Sequence, residues 1–356
     1  MSRVLVIGPG DMGTRIALGL ASGGIARELV LAGLPREAGD EAIGLIGSTS
    51  DATARFEPVD CTNQQAIEDV IGRARPELIV QCASLLSPWA LVGRTDRAAR
   101  AFAAAGLGVA LPMQLPVLLA TMRAVRATGF AGPVANLSFP DVTNALLARL
   151  GLAPTVGLGN VTMQLLRIRG ALRAQLGPDA ELPLVRVLGH HNQVYGVMRA
   201  VPPDDPAERV RVFLGEDGTR ADELAYAGHP FAPGIVYNRV TAPACILALR
   251  ALLARSGRTR ISLPGPLGLP GGYPVAIEHG RVELDLAPGG RLDEVVGWMD
   301  RIGRHDGVEA IAADGTVTFS ESARHAVAEV APWLAEPLHP DDVPERAGRI
   351  LRLLAL

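Results

Sequence analysis

Four apolar residues, Val4-Leu5-Val6-Ile7, run unbroken into Gly8. That is the pattern of a short strand buried on both faces in a parallel sheet. Apolar positions then recur at helical spacing from Met12 to Ala21. A second run, Glu28-Leu29-Val30-Leu31, predicts a second strand, and Leu78-Ile79-Val80 predicts a further buried one. Helical spacing returns over 66–74, 95–105 and 116–128, residues 107–110 read as a strand, and Val134-Ala135 leads into a loop. Strands alternating with helices predict βαβ units and a parallel sheet.

Near residue 150 the pattern changes. Residues 184–188, 210–214, 275–277 and 282–286 read as strands of a more antiparallel region, with helices over 161–175 and 240–254 between them. Pro and Asp crowd 201–207, which predicts an exposed loop. A Pro/Asp-rich turn at 339–344 precedes a last helix at 345–354. The expected organisation is an α/β chain. Residues 1–150 form a doubly wound parallel sheet, 151–331 an α+β domain and 332–356 a helical tail.

Composition narrows the function classes. Hydrophobic residues make up 48% of the chain and aromatic ones only 4%, so the core is built from Ala, Val and Leu. With 34 basic and 37 acidic residues and no basic block, nothing points to a nucleic-acid partner. Every basic residue counted there is Arg; the sequence contains no Lys. A Schiff-base or acid–base lysine is therefore excluded. Cys61, Cys82 and Cys245 are isolated, which argues against a disulfide framework or a zinc site. The start of the chain does not read as a signal peptide, and no uninterrupted apolar run reaches the ~18 residues of a membrane span. The expectation is a cytoplasmic protein with no membrane partner.

Gly8-Pro9-Gly10-Asp11-Met12-Gly13 fits G-x-G-x-x-G between a predicted strand and a predicted helix, the context in which that pattern cradles a dinucleotide. The first glycine makes the turn, the second lets backbone approach the pyrophosphate, and the third lets helix and strand pack. The free N–H groups of the helix then face phosphate. Cys82, Ala83 and Ser84, just past the strand at 78–80, are further candidates for the cofactor side. An NAD-binding domain usually carries Asp or Glu at the end of its second strand. Here that place holds Gly33, with Arg36 three residues on. No carboxylate repels a 2′-phosphate and a guanidinium is near to pair with one, so NADP(H) is expected over NAD(H).

Several stretches resemble the lactate/malate dehydrogenase superfamily, which also contains the NAD-dependent family 4 glycosidases. They are the GPGDMG turn, the ELVLAG strand, Asn136 with Pro140-Asp141-Val142-Thr143, and Gly157-Leu158-Gly159-Asn160 before a helix carrying Arg167 and Arg169. Val187-Leu188-Gly189-His190-His191 and Gly271-Gly272-Tyr273-Pro274-Val275 complete the series. The resemblance implies a dehydrogenase or reductase acting on a ketone/alcohol or imine/amine carbon of a small molecule that carries a carboxylate. It implies that His191 exchanges the proton, Arg167 grips the carboxylate and Asn136 orients the substrate. It also implies a homodimer or homotetramer, for which the apolar residues 350–356 offer a contact surface.

Two departures bear on that reading. The family's aspartate three residues before the arginine is Gln164 here, which can orient His191 but adds no charge. The loop Ala83-Ser84-Leu85-Leu86-Ser87-Pro88-Trp89 is apolar where the family carries arginines. His190 is the alternative proton-transfer residue, because neighbours on a strand face opposite sides. The metal-binding cysteine of the glycosidase branch is missing at 157–160, so no metal is expected. A redox-assisted lyase or hydrolase with a retained nicotinamide, and a non-catalytic dinucleotide sensor, stay open as alternatives.

Overall fold

A computed structural model describes residues 2–355. Strands β1 (Arg3–Ile7), β2 (Glu28–Gly33), β3 (Thr53–Pro58), β4 (Leu78–Gln81), β5 (Val134–Asn136) and β6 (Val156–Gly157) form one parallel sheet in the order β3-β2-β1-β4-β5-β6. That is the doubly wound order, whose chain reversal between β1 and β4 opens a crevice at the carboxyl ends of the strands. The connecting helices are α1 (Asp11–Ser22), α2 (Arg36–Thr49), α3 (Gln64–Ala74), α4 (Arg97–Ala105), α5 (Leu111–Thr128) and α6 (Pro140–Arg149), and α7 (Asn160–Leu176) follows β6.

The rest of the chain is α+β. It contains β7 (Val185–Leu188), α8 (Val194–Arg199), β8 (Arg211–Leu214), β9 (Thr219–Arg220), α9 (Asn238–Leu253) and β10 (Arg258–Pro264). There follow β11 (Gly272–Glu278), β12 (Arg281–Leu284), α10 (Leu292–Gly303), β13 (Val308–Ile311), β14 (Val317–Phe319), α11 (Glu321–Val327) and α12 (Val343–Leu353). Three small antiparallel sheets arise: β7-β8-β9, β10-β11-β12 and β13-β14.

The unbroken apolar run of β1 has its predicted cause. Val4 and Val6 face one core with α1, α2, α7 and α9. Leu5 and Ile7 face the other with α3, α4 and α5. Residues from β13 to α12 pack into this second core, so the tail returns to the face of the first sheet. Neither core ends at residue 150, and β6 extends the parallel sheet past it. Ile350 and Leu354 are buried inside their own chain rather than held out as a contact surface; Leu356 lies outside the described residues. Two stretches, Leu107–Thr128 and Ile235–Leu253, are long and apolar enough to cross a bilayer, and the first is mostly buried in this core.

Residues 107–110 are a 3-10 turn, not the expected strand. A Cβ at Gly106 or Gly108 would press against the Asp306 backbone at 2.7 Å. The turn is therefore the seat on which the segment at 304–307 docks, and that segment brings Asp306 to the site.

Candidate active site

A cleft of about 440 Å³ lies at the carboxyl ends of β1, β4 and β5. One end is the glycine-rich turn. A Cβ at Gly8 would meet Ala83 at 2.7 Å, and one at Gly13 would strike the Gly8 carbonyl. A Cβ at Gly10 would meet nothing within 4 Å. Packing thus requires the first and third glycines, whereas the second borders open space over which a phosphate fits. Gly10 precedes α1 without any side-chain cap, so the helix keeps free N–H groups for an anion. Cys82, Ala83 and Ser84 line the same wall. Burial pushes the Cys82 thiol up to about 12, so it stands there uncharged.

Gly33 and Arg36 stand outside this lining, although Leu34 belongs to it. A Cβ at Gly33 would press on the Pro9 ring at 2.5 Å, which explains why the strand end carries no side chain. Arg36 opens α2 in an exposed position.

The opposite end of the cleft holds His191. Its Nδ1 lies 3.0 Å from both carboxylate oxygens of Asp306. The carboxylate thereby fixes the Nδ1–H tautomer and leaves Nε2 as the free ring nitrogen. The His191 backbone N–H donates to Asp141 Oδ1 at 2.9 Å, and the Asn160 amide donates to Asp141 Oδ2. Asp141 sits in the first turn of α6, where the helix dipole favours a carboxylate. The Phe139 ring meets the imidazole edge-on at 5.1 Å. Phe139 and Asn160, both in the lining, have φ of 48° and 31°. Such strain in non-glycine residues is characteristic of places that position a functional group.

Burial pushes the His191 pKa down. The charge and hydrogen bonds of Asp306, with Asp141 behind, outweigh it and hold the ring above its ordinary value. Burial likewise opposes the Asp306 anion. The adjacent His191 charge and the hydrogen bonds of His190 and His191 overcome that and hold the carboxyl far below the usual range.

The residues expected to surround His191 are placed differently. Gln164 Nε2 donates to the His190 carbonyl at 3.1 Å and does not touch the His191 ring. It fixes the backbone, while the charged partner comes from Asp306. Asn136 is fully buried, and its amide donates to Thr143 Oγ1 at 2.9 Å and Asn144 Oδ1 at 2.8 Å. Its carbonyl accepts from the Ser138 N–H at 2.9 Å. These bonds tie the β5–α6 turn together and leave the amide nothing for a substrate. Arg167 is not in the cleft lining. It donates to the His229 carbonyl and stacks on Phe231, 4.8 Å from the ring centre.

His190 is buried and lines a separate cavity of about 480 Å³ with Asp300 and Met299. Its Nδ1 lies 3.1 Å from Asp306 Oδ2 and 3.4 Å from the Asn192 N–H. The shorter contact to a charged acceptor decides that this nitrogen also donates to Asp306.

The cleft wall between these ends contains Trp89, Tyr237 and Asn238. The Trp89 indole N–H donates to Asn238 Oδ1 at 3.2 Å, and Asn238 Nδ2 donates to Asp11 Oδ2 at 2.7 Å. The loop after β4 is thereby tied to the glycine-rich turn.

The chain is similar to solved dehydrogenases. One is a lactate dehydrogenase from a Medee basin deep-sea metagenome, at 15% identity and TM-score 0.51, covering 86% of this chain and 98% of that one. Another is the Cryptosporidium parvum lactate dehydrogenase, solved with lactic acid and β-nicotinamide adenine dinucleotide, at 14% identity and TM-score 0.52, covering 86% and 98%. A third is the Picrophilus torridus malate dehydrogenase in its apo form, at 13% identity and TM-score 0.51, covering 86% and 96%. No protein-family model matches the sequence, and no curated protein matches it. At these identities the likeness is one of fold: the chain has the lactate/malate dehydrogenase architecture over most of its length.

Proposed function

We propose that the protein is a nicotinamide-dependent oxidoreductase that interconverts a ketone and an alcohol, or an imine and an amine, on a small molecule. The observation that carries this is the placement of His191, held by Asp306, in the same cleft as the uncapped glycine-rich turn. The turn's backbone N–H groups and the α1 N-terminus would hold the pyrophosphate, with Ala83 and Ser84 beside the rest of the dinucleotide. Bound there, the nicotinamide would supply or accept the hydride. His191 would give its Nε2 proton to the substrate heteroatom in reduction and take it back in oxidation. Asp306 would hold the ring in one tautomer and favour its charged form.

NADP(H) is the proposed cofactor, on the grounds of the missing carboxylate after β2 and the exposed Arg36. The expectation of a substrate carboxylate gripped by Arg167 has no support in the cleft, where His191 is the only basic side chain in the lining among the described residues.

The test is a titration with NADPH and NADH that follows quenching of Trp89 in the cleft wall. NADPH is expected to bind at least ~10-fold tighter, a preference of ~1.4 kcal/mol. Gly10→Val, whose side chain enters open space, should keep the melting temperature and lose most of this binding. Failure of both dinucleotides to bind would sink the reading.

A further inference from the structure

The chain holds few aromatic residues, 7 Phe, 3 Trp and 4 Tyr, yet Trp89, Phe139, Tyr195 and Tyr237 all line the cleft. Phe139 packs on His191, while Tyr195, Tyr237 and Trp89 form a separate run of touching rings on the cleft wall. Tyr195 stands one turn beyond His191 in sequence and meets Tyr237 at 5.8 Å between ring centres, tilted by 54°. Tyr237 meets Trp89 edge-on at 6.1 Å and 88°. The Asn238 hydrogen bond fixes the Trp89 plane, so the wall is set before any substrate arrives. Tyr237 is buried behind this run, whereas Trp89 and Tyr195 keep accessible ring surface for another planar group.

Charge narrows the class further. Among the described residues no guanidinium lines the cleft, so a carboxylate would find no two-pronged partner there. Asp11 is engaged by Arg15 and Asn238. Asp11 is the one carboxylate in the lining among the described residues, so a cationic substrate would have to displace these partners from it.

We propose that the cleft takes an uncharged substrate with a planar apolar ring beside its reacting carbon, an aryl ketone or the corresponding carbinol, rather than a 2-oxo acid. This rests on the oxidoreductase reading. In reduction the carbonyl carbon gains a hydride from NAD(P)H and its oxygen gains the His191 proton; the C=O π bond breaks, and the alcohol and NAD(P)+ result. Trp89, backed by the buried Tyr237, sets the specificity by stacking the ring.

The test compares kcat/KM for acetophenone, butanone, pyruvate and oxaloacetate with the full chain and saturating reduced cofactor. Acetophenone should exceed both oxo acids, and Trp89→Leu should lower the acetophenone-to-butanone ratio about tenfold, the scale of one lost ring contact. A higher value for pyruvate or oxaloacetate overturns the proposal, as does a Trp89→Leu variant that leaves the ratio unchanged. Equilibrium dialysis gives a readout independent of turnover. Acetophenone should bind the cofactor complex more tightly than oxamate, and the reverse order, or no binding of acetophenone, also overturns it. If no dinucleotide binds, the oxidoreductase reading fails on its own, and ring preference is then judged from the same dialysis with the free protein.

Discussion

His190 and His191 are neighbours in sequence, both reach the Asp306 carboxylate, and yet they face two different cavities. His190 has extended backbone, with φ −118° and ψ 160°, so consecutive side chains leave it in opposite directions. The side chain of His190 is 2% exposed, whereas that of His191 is 23% exposed and opens on the cleft. One buried anion thus serves a ring that lines the cleft with the glycine-rich turn and a ring that lines a separate cavity. Residue type and an acidic partner therefore do not distinguish a proton donor from a structural histidine. Under the proposed function, the cavity that each ring lines makes that distinction.

The strongest way to break this contrast is to remove the imidazole on the cleft side. His191→Gln should lower the reductive kcat by roughly 10²–10⁴-fold, the usual span for a lost general acid, with cofactor affinity unchanged in fluorescence titration. A variant within a few-fold of the parent would move the proton to another group.

Asp306→Asn comes next, with a loss of roughly 10²-fold, because the imidazolium then loses its charge partner. Its signature is the pH profile. Proton donation requires protonated His191, so the reductive rate falls as pH rises through a pKa that Asp306 holds up. The Asn variant should move that limb to lower pH, and an unmoved limb would separate Asp306 from the proton.

His190→Gln should change kcat by less than about tenfold but cost ~1–3 kcal/mol of stability in chemical denaturation, the cost of disturbing a buried hydrogen-bonded group. A rate loss equal to that of His191→Gln would erase the distinction between the two histidines. The smallest effect on the reaction is expected for Asn136→Ala. It removes bonds internal to the β5–α6 turn, so it should cost ~1–3 kcal/mol while kcat per folded molecule stays within about twofold.

The same contrast explains what the sequence could disclose. The glycine-rich turn is legible because its chemistry is contained in six consecutive residues between a strand and a helix. His191 is legible from the strand that ends just before it. Asp306 was missed because it lies 115 residues away from His191, in Arg304-His305-Asp306-Gly307, which reads only as a polar turn. Its signal was indirect, in the close-set Gly106 and Gly108 that accommodate its backbone. Gln164 was assigned the orienting role because it occupies the place of the aspartate on α7, but its side chain reaches the backbone beneath the histidines. Among the elements, α2 is hard to read because Gly39, Gly44 and Gly47 dilute the helical signal. Helix α6 is hard to read because Pro140-Asp141 resembles a turn, although Pro suits the first position of a helix. Strand β3 is the edge of the sheet, and Arg55 and Glu57 give it the polar look of a loop.

The most direct test of the central claim is the ¹⁵N NMR titration of the His191 ring in the parent protein and in Asp306→Asn. The parent should show Nδ1 protonated throughout and Nε2 titrating above the ordinary histidine value, with that pKa falling in the variant. An Nε2 pKa that is the same in both proteins would contradict the account, because Asp306 would then not be the group that holds the proton on His191.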